Sequence, residues 1–324
     1  MKTKKICAVV ITFNRKSYLA KLLRALENQN YLLDAIFVYD NNSTDGTMEL
    51  LLGKTVEKNE LIKEVRGDHN YYFYFNSENS GGSGGFSNAI RLASEWEFEY
   101  LWCMDDDVMP DKGCLMELQS HISENAKICI PSRTDDNYRD FAVTHVNMSN
   151  PFKYSIASRK TMVPNESIAT NSIDVVDMPF EGPLIETNLI AEIGFPREDF
   201  FIIFDDSEYA ARACKITKIK YCKNAVLHKQ IIPKADKKKL MNWKNYYGYR
   251  NQIWFDRHYG KNWFVKFMRP RLLLADLTLR AVVLRKYSNI RVIYRAYSDG
   301  IHDRLGKLVE PGTDGKNIST MCPW

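Results

Sequence analysis

The sequence predicts an α/β fold in which helices cover both faces of a mostly parallel sheet, followed by a helical extension at the C-terminus. Two observations support this class. In the first third of the chain, strand-length segments that are apolar throughout alternate with segments whose apolar residues recur at helical spacing. Strands that are apolar at every position indicate a sheet buried on both sides, and the intervening helices provide the crossovers that parallel pairing needs.

The first strand and helix are the apolar run 5–12 and the leucine-rich segment 17–28. The other elements predicted in this third are strand 34–39, a helix capped by Ser43 or Thr44, strand 71–76, helix 86–96 and strand 99–104. In sheets of this kind, ligands bind beyond the carboxyl ends of the strands. Polar residues that directly follow a predicted strand are therefore candidates for a functional site.

The pattern changes in the second part of the chain. Residues 128–230 mix short strands with loops, whereas residues 240–300 are predicted to be helical and contain many aromatic and basic side chains. Pro270 either interrupts a helix there or starts a new one. We therefore expect an α/β domain over residues 1–235 and a helical region over residues 236–324.

Charge is unevenly distributed along the 324 residues, although the net charge is only +5. From Lys229 onward there are 20 Lys and Arg against 7 Asp and Glu, whereas the first 228 residues contain 25 basic and 33 acidic side chains. The basic part is explained either by solvated helix faces or by contact with a phosphate-rich partner. The seven cysteines form no CxxC pair and no apolar run reaches 18 residues, so we expect a cytoplasmic protein with free thiols.

Three consecutive aspartates, Asp105, Asp106 and Asp107, directly follow the predicted strand 99–104. In an extended segment alternate side chains project to the same side, so Asp105 and Asp107 can approach one cation while Asp106 points elsewhere. A hard divalent ion with oxygen ligands, Mg²⁺ or Mn²⁺, would offset their repulsion and could bridge a substrate diphosphate. The alternative is a solvated acidic turn.

Three further segments are candidates for the site. The glycine-rich segment 79–85 lacks dinucleotide-fold and Walker spacing, but its backbone suits close approach to a phosphate or a sugar hydroxyl; a flexible loop is the alternative. Asp205 and Asp206 precede a predicted helix, where they either cap it or provide a catalytic base. His228 closes an apolar segment and is either structural or a metal ligand.

In this order, the motifs resemble the inverting family 2 glycosyltransferases with the GT-A fold. The segments that carry the resemblance are Val9–Arg15, Asp40–Thr47, Asn79–Phe86, Asp105–Asp107 and Asp205–Tyr209, with His228 at the end. Each motif is weak alone, but their order along the chain makes the combination specific.

The resemblance implies a role for each candidate. The nucleotide site would comprise Thr12, Phe13, Asn14, Arg15, Asp40, Asn79, Gly82, Asp105 and Asp106. The metal, Mn²⁺ or Mg²⁺, would be held by Asp105, Asp107 and His228. Contacts to the donor sugar or the acceptor would come from Gly84, Gly85, Asp205, Trp243, Tyr246 and Arg250. Asp40 would accept a hydrogen bond from the base of the nucleotide, and Asp206 would deprotonate the acceptor hydroxyl. For Trp243 and Tyr246, packing in the core is the alternative.

Within that family, the paired glycines before Phe86, the three aspartates and the segment Trp243–Asn251 resemble galactofuranosyl- and rhamnosyltransferases of bacterial cell-surface glycan assembly. The resemblance implies a UDP-galactofuranose donor, with dTDP-rhamnose as the alternative, and a glycan or polyprenyl-linked acceptor. The apolar and basic side chains between Trp263 and Arg285 would either lie on an anionic membrane, at the inner face of the plasma membrane, or pack on the sheet.

Two other classes of function are less well supported. A two-metal nuclease would need basic residues beside the aspartates, whereas the basic residues here are remote in sequence. A non-enzymatic nucleotide-sugar-binding protein would not need the complete catalytic set. We therefore expect an enzyme without a nucleic-acid partner, and we leave open whether it forms a homo-oligomer.

Overall fold

The computed structural model describes residues 4–231, 240–315 and 317–318. Its strands are β1 (Ile6–Thr12), β2 (Ala35–Asp40), β3 (Leu61–Arg66), β4 (His69–Phe75), β5 (Tyr100–Asp105), β6 (Val108–Pro110), β7 (Ile128–Ser132), β8 (Phe141–Val146), β9 (Lys160–Pro164), β10 (Ser172–Val175), β11 (Leu184–Glu186) and β12 (Ile219–Lys229). Its α-helices are α1 (Lys16–Glu27), α2 (Thr47–Leu52), α3 (Gly81–Ser94), α4 (Cys114–Ser120), α5 (Ile156–Arg159), α6 (Thr187–Ile193), α7 (Asp205–Ala213), α8 (Trp243–Tyr259), α9 (Arg269–Val283) and α10 (Ser288–Ile301). The predicted domain boundary at residues 235 and 236 lies outside the described residues, as does Cys322.

A single large sheet, with strand order β10-β12-β7-β11-β5-β1-β2-β4-β3, organises the molecule. Its centre, β5-β1-β2-β4, is parallel throughout, and β7 pairs in parallel with β12. Antiparallel pairing occurs at β11, which lies between β5 and β7, and at the edge strands β3 and β10. The predicted α/β class with a mostly parallel sheet is confirmed. Strand β3, which the sequence pattern did not predict, is a half-exposed edge strand with charged residues Lys63, Glu64 and Arg66.

The two faces of the sheet each carry a hydrophobic core. Along β1, Cys7 and Val9 belong to one core, whereas Ala8 and Val10 belong to the other, because alternate residues of a strand point to opposite faces. Helix α3 contributes to the first core and α1 to the second. Helices therefore cover both faces, which explains why every residue of β1 and β2 is buried.

Most of the glycine-rich segment is part of a helix that begins at Gly81, so the alternative of a flexible loop there is wrong and the predicted helix 86–96 starts five residues earlier. Residues 81–85 form the first turns of α3, which packs directly against β1. A Cβ atom added to Gly85 would lie 2.9 Å from Ile11 Cγ2, and one added to Gly84 would lie 2.7 Å from Ser80 Cβ. These glycines are needed for close packing of the helix, and both are buried. Their predicted contact with a sugar therefore has no support in the geometry.

The C-terminal region is helical, as predicted. Helix α8 begins with a capping box in which Asn242 Oδ1 accepts a hydrogen bond from Lys244 N (3.0 Å), while Asn242 N donates to Asn245 Oδ1 (3.0 Å). Pro270 is the second residue of α9, so it starts a helix and does not interrupt one; a π-helical turn, Phe264–Met268, precedes it. Within the described ranges, no helix is both long and apolar enough to cross a bilayer.

Candidate active site

Three parallel strands end at the same edge of the sheet, and their last residues are Thr12, Asp40 and Asp105. A cavity of about 320 Å³ lies at this edge. The residues lining it that the sequence assigned to the site are Thr12, Phe13, Arg15, Asn79, Gly82, Asp105, Asp106 and Trp243. The residues lining it that the sequence did not single out are Ile11, Asn41, Gly81, Phe201, Ile202, Lys244 and Pro311. The structure therefore brings most of the predicted nucleotide-binding residues together.

Asp106 points inward and fixes the end of β1. Its Oδ2 accepts hydrogen bonds from Thr12 Oγ1 (2.7 Å) and Phe13 N (3.2 Å), and its Oδ1 accepts one from Arg15 Nη1 (3.0 Å). Burial raises the pKa of Asp106 to about 6, although the Thr12 and Arg15 hydrogen bonds oppose this shift. Residues 106 and 107 form a turn after β5, and Asp106 and Asp107 both contact Arg15 Nη1, so the expectation of an extended segment in which Asp106 points away from Asp107 does not hold.

Asp105 and Asp107 carry more negative charge than the described residues around them neutralise. Arg15 Nη1 is 2.8 Å from Asp107 Oδ2 and is shared with Asp106. Burial raises the pKa of Asp105 well above its usual range, and the carboxylates of Asp107 and Asp106 raise it further. Excess negative charge of this kind favours binding of a divalent cation, and carboxylate oxygens are suitable ligands.

A metal at this position would need ligands beyond the protein. Within the described parts of the chain, no group of three His, Cys, Asp or Glu side chains is arranged to hold a metal ion. Mg²⁺ is usually bound by one or two carboxylates together with substrate phosphates, so Asp105 and Asp107 fit an ion that a bound diphosphate helps to hold.

The predicted metal ligand His228 is bound to two other carboxylates in this structure, and its role as a ligand stays a prediction. Its Nδ1 is 2.9 Å from Asp135 Oδ2 and its Nε2 is 2.9 Å from Asp111 Oδ1. Burial lowers the pKa of His228, but the carboxylates of Asp135 and Asp111 outweigh that effect and raise it. The antiparallel pairing of β12 with β6 places His228 opposite Met109, beyond the aspartate cluster. Both ring nitrogens are therefore occupied in this structure.

The ends of β1 and β2 are joined by a network around Asn14. Asn14 has a left-handed backbone with φ 53°, its N donates to Ser43 Oγ (2.8 Å), and its Oδ1 accepts from Thr44 N (2.7 Å). Ser43 and Thr44 therefore fix this turn and do not cap α2, which begins after Gly46. Asp40 Oδ1 accepts a hydrogen bond from Ser43 N (2.9 Å), and burial raises the pKa of Asp40. The predicted roles of Asn14 and Asp40 in nucleotide binding remain predictions.

Asn41 is a site residue that the sequence did not single out. Its Nδ2 donates to Gly81 O (2.8 Å), and its Oδ1 accepts from Ser80 N (3.1 Å) and Ser80 Oγ (2.9 Å). Gly81 has φ 76°, and a Cβ atom there would lie 2.1 Å from Phe201 O. Asn41 thus holds a backbone turn that only glycine can form. The one signal in the sequence was its place in the turn-forming cluster that follows β2.

Asp205 and Asp206 are the first two residues of α7, as predicted. Asp205 is buried, whereas Asp206 lines a second cavity of about 480 Å³ together with Lys160, Asp177 and residues of the β8–β9 hairpin. Burial raises the pKa of both carboxyl groups, and the negative charges of Asp205 and Asp177 raise that of Asp206 further. A carboxylate with a raised pKa at the wall of a cavity has the properties of a general base.

Two of the residues predicted to contact a sugar are completely buried. Tyr246 is 0% exposed and its hydroxyl donates to Asp299 Oδ2 (2.6 Å). Arg250 is also 0% exposed, and its guanidinium donates to the backbone oxygens of Phe200 (2.9 Å) and Gly306 (2.7 Å). Neither side chain presents a surface to a sugar or a diphosphate, because α8 is enclosed by neighbouring segments. Of this group, only Trp243 reaches the first cavity.

The sequence matches a known family. The model of the family described as glycosyl transferase family 2 matches residues 7–173. The galactofuranosyltransferase GlfT1 of Mycolicibacterium smegmatis is 25% identical over 222 residues, which are 65% of this chain and 65% of that relative. The abequosyltransferase RfbV of Salmonella typhimurium is 32% identical over 128 residues, which are 38% of this chain and 34% of that relative. The matches thus span less than two thirds of these curated relatives.

A solved structure with the same fold is the mannosyltransferase PcManGT from Pyrobaculum calidifontis, in complex with GDP-Man and Mn²⁺. It is similar to this chain with a TM-score of 0.55 at 14% sequence identity, and the match covers 93% of this chain and 88% of that chain. At this identity the likeness concerns the fold alone, which is the GT-A fold that the sequence resemblance implied.

Proposed function

The chain belongs to glycosyl transferase family 2, and from that premise we propose that it transfers galactofuranose from UDP-galactofuranose, with inversion, to a hydroxyl group of a glycan or lipid-linked acceptor in bacterial cell-surface polysaccharide synthesis. The sugar is suggested by the galactofuranosyltransferase relative, whose match covers more of this chain than that of the abequosyltransferase. The latter acts on a different sugar by its name, so the family match alone does not fix the sugar. The second candidate donor is dTDP-rhamnose, which the resemblance of the sequence motifs implies.

The observation that carries the proposal is the cavity at the strand ends, which combines a buried acidic cluster with cationic side chains. Arg15 and Lys244 line it together with Asp105 and Asp106. A nucleoside diphosphate is itself anionic, so its binding beside these carboxylates requires a cation. Bound Mn²⁺ or Mg²⁺, held by Asp105 and Asp107, would supply Lewis-acid stabilisation of the leaving diphosphate.

The acceptor is assigned to the second cavity, because Asp206 forms part of its wall. This cavity of about 480 Å³ has apolar side chains such as Met162 and Met178 beside the charged Lys160 and Asp177. Lys160 and Asp177 form an ion pair with each other. A mixed lining of this kind suits a sugar, which offers apolar ring faces and hydroxyl groups.

Asp206 then acts as the base in a single displacement. It removes the proton of the acceptor hydroxyl while that oxygen attacks the anomeric carbon on the face opposite the leaving diphosphate. One displacement inverts the anomeric centre, so no carboxylate nucleophile is needed. The raised pKa of Asp206, caused by burial and by the charges of Asp205 and Asp177, increases its basicity.

Peripheral contact with an anionic membrane at the inner face of the plasma membrane forms part of the proposal. Large apolar side chains are exposed along the π-helical turn, α9 and the turn that follows it, namely Trp263, Phe264, Phe267, Leu279, Val282, Val283, Leu284 and Tyr287. Basic residues of the same segment are Lys266, Arg271, Arg280, Arg285 and Lys286. Apolar residues flanked by cations are typical of surfaces that bind anionic lipid, where a lipid-linked acceptor resides.

The membrane contact is tested by flotation of the protein with vesicles that contain anionic lipid. We expect binding that weakens as salt rises, and a loss of binding in a Trp263→Ser/Phe264→Ser variant. The control is Val65→Ser, which removes an apolar side chain that is 75% exposed on the edge strand β3. If all three proteins float equally, or none does, this surface is not a membrane contact; a shift in mass on light scattering would indicate a second copy of the chain instead.

The reaction is tested with a panel of nucleotide sugars, Mn²⁺ or Mg²⁺, and polyprenyl-linked or free glycan acceptors. We expect UDP release that depends on the metal and is fastest with UDP-galactofuranose, and an inverted anomeric configuration in the product by NMR. Faster turnover of dTDP-rhamnose than of UDP-galactofuranose would identify dTDP-rhamnose as the donor. Cleavage of added nucleic acid, or binding of sugar nucleotides without any transfer, would overturn the proposed activity.

A further inference from the structure

The backbone that leads into α7 is strained. Three residues other than glycine have a positive φ there, namely Phe201 with φ 65°, Ile203 with φ 66° and Phe204 with φ 75°. Such conformations are unfavourable for residues with a side chain and persist only where the surrounding structure enforces them. Asp205 and Asp206 follow directly, so the strain lies next to the proposed base.

The side chain of Asn251 on α8 binds this segment. Its Nδ2 lies within hydrogen-bonding distance of three backbone oxygens, those of Phe200 (3.1 Å), Ile202 (2.9 Å) and Ile203 (2.8 Å). Its Oδ1 accepts a hydrogen bond from Arg250 Nε (2.9 Å), which fixes the orientation of the amide. Asn251 is 0% exposed, so water does not compete for these carbonyl groups.

The opposite side of the strained segment contacts the first cavity. Phe201 O accepts a hydrogen bond from Ser83 N (3.0 Å), and the ring and carbonyl of Phe201 fill the space that a side chain at Gly81 would need. Phe201 and Ile202 line that cavity. The segment therefore lies between Asn251 and the donor side of the site, and a change in its backbone would move both Phe201 and Asp206.

We propose that Asn251 is a positioning residue, whose carboxamide holds residues 200–203 in their strained conformation and thereby fixes Asp206 at the start of α7. The proposal rests on the proposed function in one respect, the role of Asp206 as base. Asn251 itself touches none of the reacting atoms in this arrangement; it acts through the backbone that it binds.

The chain offers a matched control in the next residue of the same helix. Gln252 is also a buried amide, and its Nε2 donates to the backbone oxygen of Tyr154 (2.7 Å), away from the strained segment. Asn251→Asp and Gln252→Glu therefore make the same chemical change at adjacent buried positions. A role in stability alone predicts similar behaviour of the two variants, whereas positioning of Asp206 predicts a difference in catalysis.

In Asn251→Asp we expect kcat to fall by about 10²-fold, as for other small displacements of a catalytic group, and the donor KM to rise by a smaller factor because Phe201 lines the donor cavity. Release of the segment exposes Asp206 to water and lowers its pKa, so the acid limb of the pH profile should move to lower pH. Gln252→Glu should retain the wild-type kcat and pH profile. Equal kcat values and equal pH profiles in the two variants would overturn the proposal.

Hydrogen exchange of the peptide covering residues 199–206 provides a measurement that does not depend on transfer. We expect faster exchange in Asn251→Asp and unchanged exchange in Gln252→Glu. If wild type transfers no sugar, the proposed function fails while this comparison still tests the positioning of the segment. Equal exchange in all three proteins would show that Asn251 does not hold it.

Replacement of Ile203 by glycine gives a second test, because glycine adopts positive φ without strain. In the double variant Asn251→Asp/Ile203→Gly we expect partial recovery of kcat and of slow exchange. If Asn251→Asp alone does not fold, kcat and hydrogen exchange are measured in the double variant instead. Failure of the double variant to fold, or to recover either property, would assign Asn251 to general stability and overturn the positioning role.

Discussion

The strand ends of the N-terminal half and the aromatic helix α8 both carry polar side chains. Those at the strand ends face a cavity, whereas those of α8 that the sequence assigned to the site are mostly buried inside the protein. At the strand ends, Thr12, Arg15 and Asp105 face a cavity. On α8, Tyr246 and Arg250 point into the protein and bind Asp299 and backbone oxygens. The first region presents polar side chains to a cavity, whereas the second uses polar side chains to hold other segments in place.

The difference follows from what surrounds each element. The carboxyl edge of a parallel sheet leaves a crevice beyond the strand ends, so polar side chains there can face a ligand. Helix α8 is enclosed by α10 and by the segment that leads into α7, and its buried polar groups must find partners within the protein. Side-chain chemistry alone therefore does not separate a ligand contact from a structural one.

The largest effect is expected for Asp206→Asn. Loss of the base should lower kcat by about 10²–10⁴-fold, because an amide cannot accept the proton of the acceptor hydroxyl. Donor affinity, measured by calorimetry, should stay near wild type, since Asp206 does not line the first cavity. Asp303→Asn, which alters a half-exposed carboxylate paired with Arg257, is the control. A variant at position 206 with substantial turnover would remove Asp206 from the role of base.

Arg250→Ala tests the buried polar side chains of α8. The variant removes the guanidinium that donates to the backbone oxygens of Phe200 and Gly306 and empties the buried space that it fills, so the free energy of unfolding should fall by about 3 kcal/mol. Arg280→Ala, which removes a guanidinium on the surface of α9, should change it by less than about 0.5 kcal/mol. Urea denaturation measures both. Unchanged stability together with a raised donor KM would instead make Arg250 a ligand contact.

Asp107→Asn tests the strand-end region through the metal. We expect the metal-dependent affinity for the nucleotide to fall by about tenfold or more, since one of two carboxylate ligands is lost. His228→Gln, by contrast, should leave that affinity nearly unchanged, because both nitrogens of the His228 ring are bound to Asp111 and Asp135. Calorimetry with UDP and Mn²⁺ gives both values. A larger effect of His228→Gln than of Asp107→Asn would restore the histidine as a ligand.

The smallest effect is expected for Asp177→Asn, in the pH dependence of kcat/KM. Burial, the charge of Asp205 and the charge of Asp177 raise the pKa of Asp206, so activity should be lost as pH falls through that raised value. Removal of the charge at position 177 lowers the pKa of Asp206, and the acid limb should move to lower pH. Asp174→Asn, at the sheet edge and paired with Lys218 and Lys220, should leave the limb in place. If the acid limb of the kcat/KM profile does not move in Asp177→Asn, the pKa of Asp206 does not set that limb.

Much of the parallel centre of the fold followed from local patterns. The strands at 5–12 and 34–39 and the helix at 17–28 needed only the apolar spacing of a few consecutive residues. Strand β11, antiparallel between β5 and β7, did not follow, because its partners are more than 50 residues away along the chain. The candidate site shows the same division. Asp105 and Asp106 were marked by their place after a strand, whereas Asn41 and Phe201 enter the site through contacts with the distant Gly81.

The sequence by itself determined the class of fold, the family and the carboxylates at the strand ends, because each depends on the order and spacing of neighbouring residues. Only the tertiary structure decided that Tyr246 and Arg250 are internal, that His228 binds two aspartates, and that Asn251 reaches the strained backbone before Asp206. The physical reason is that burial and hydrogen-bond partners are set by packing between segments far apart in the chain, which local sequence does not encode.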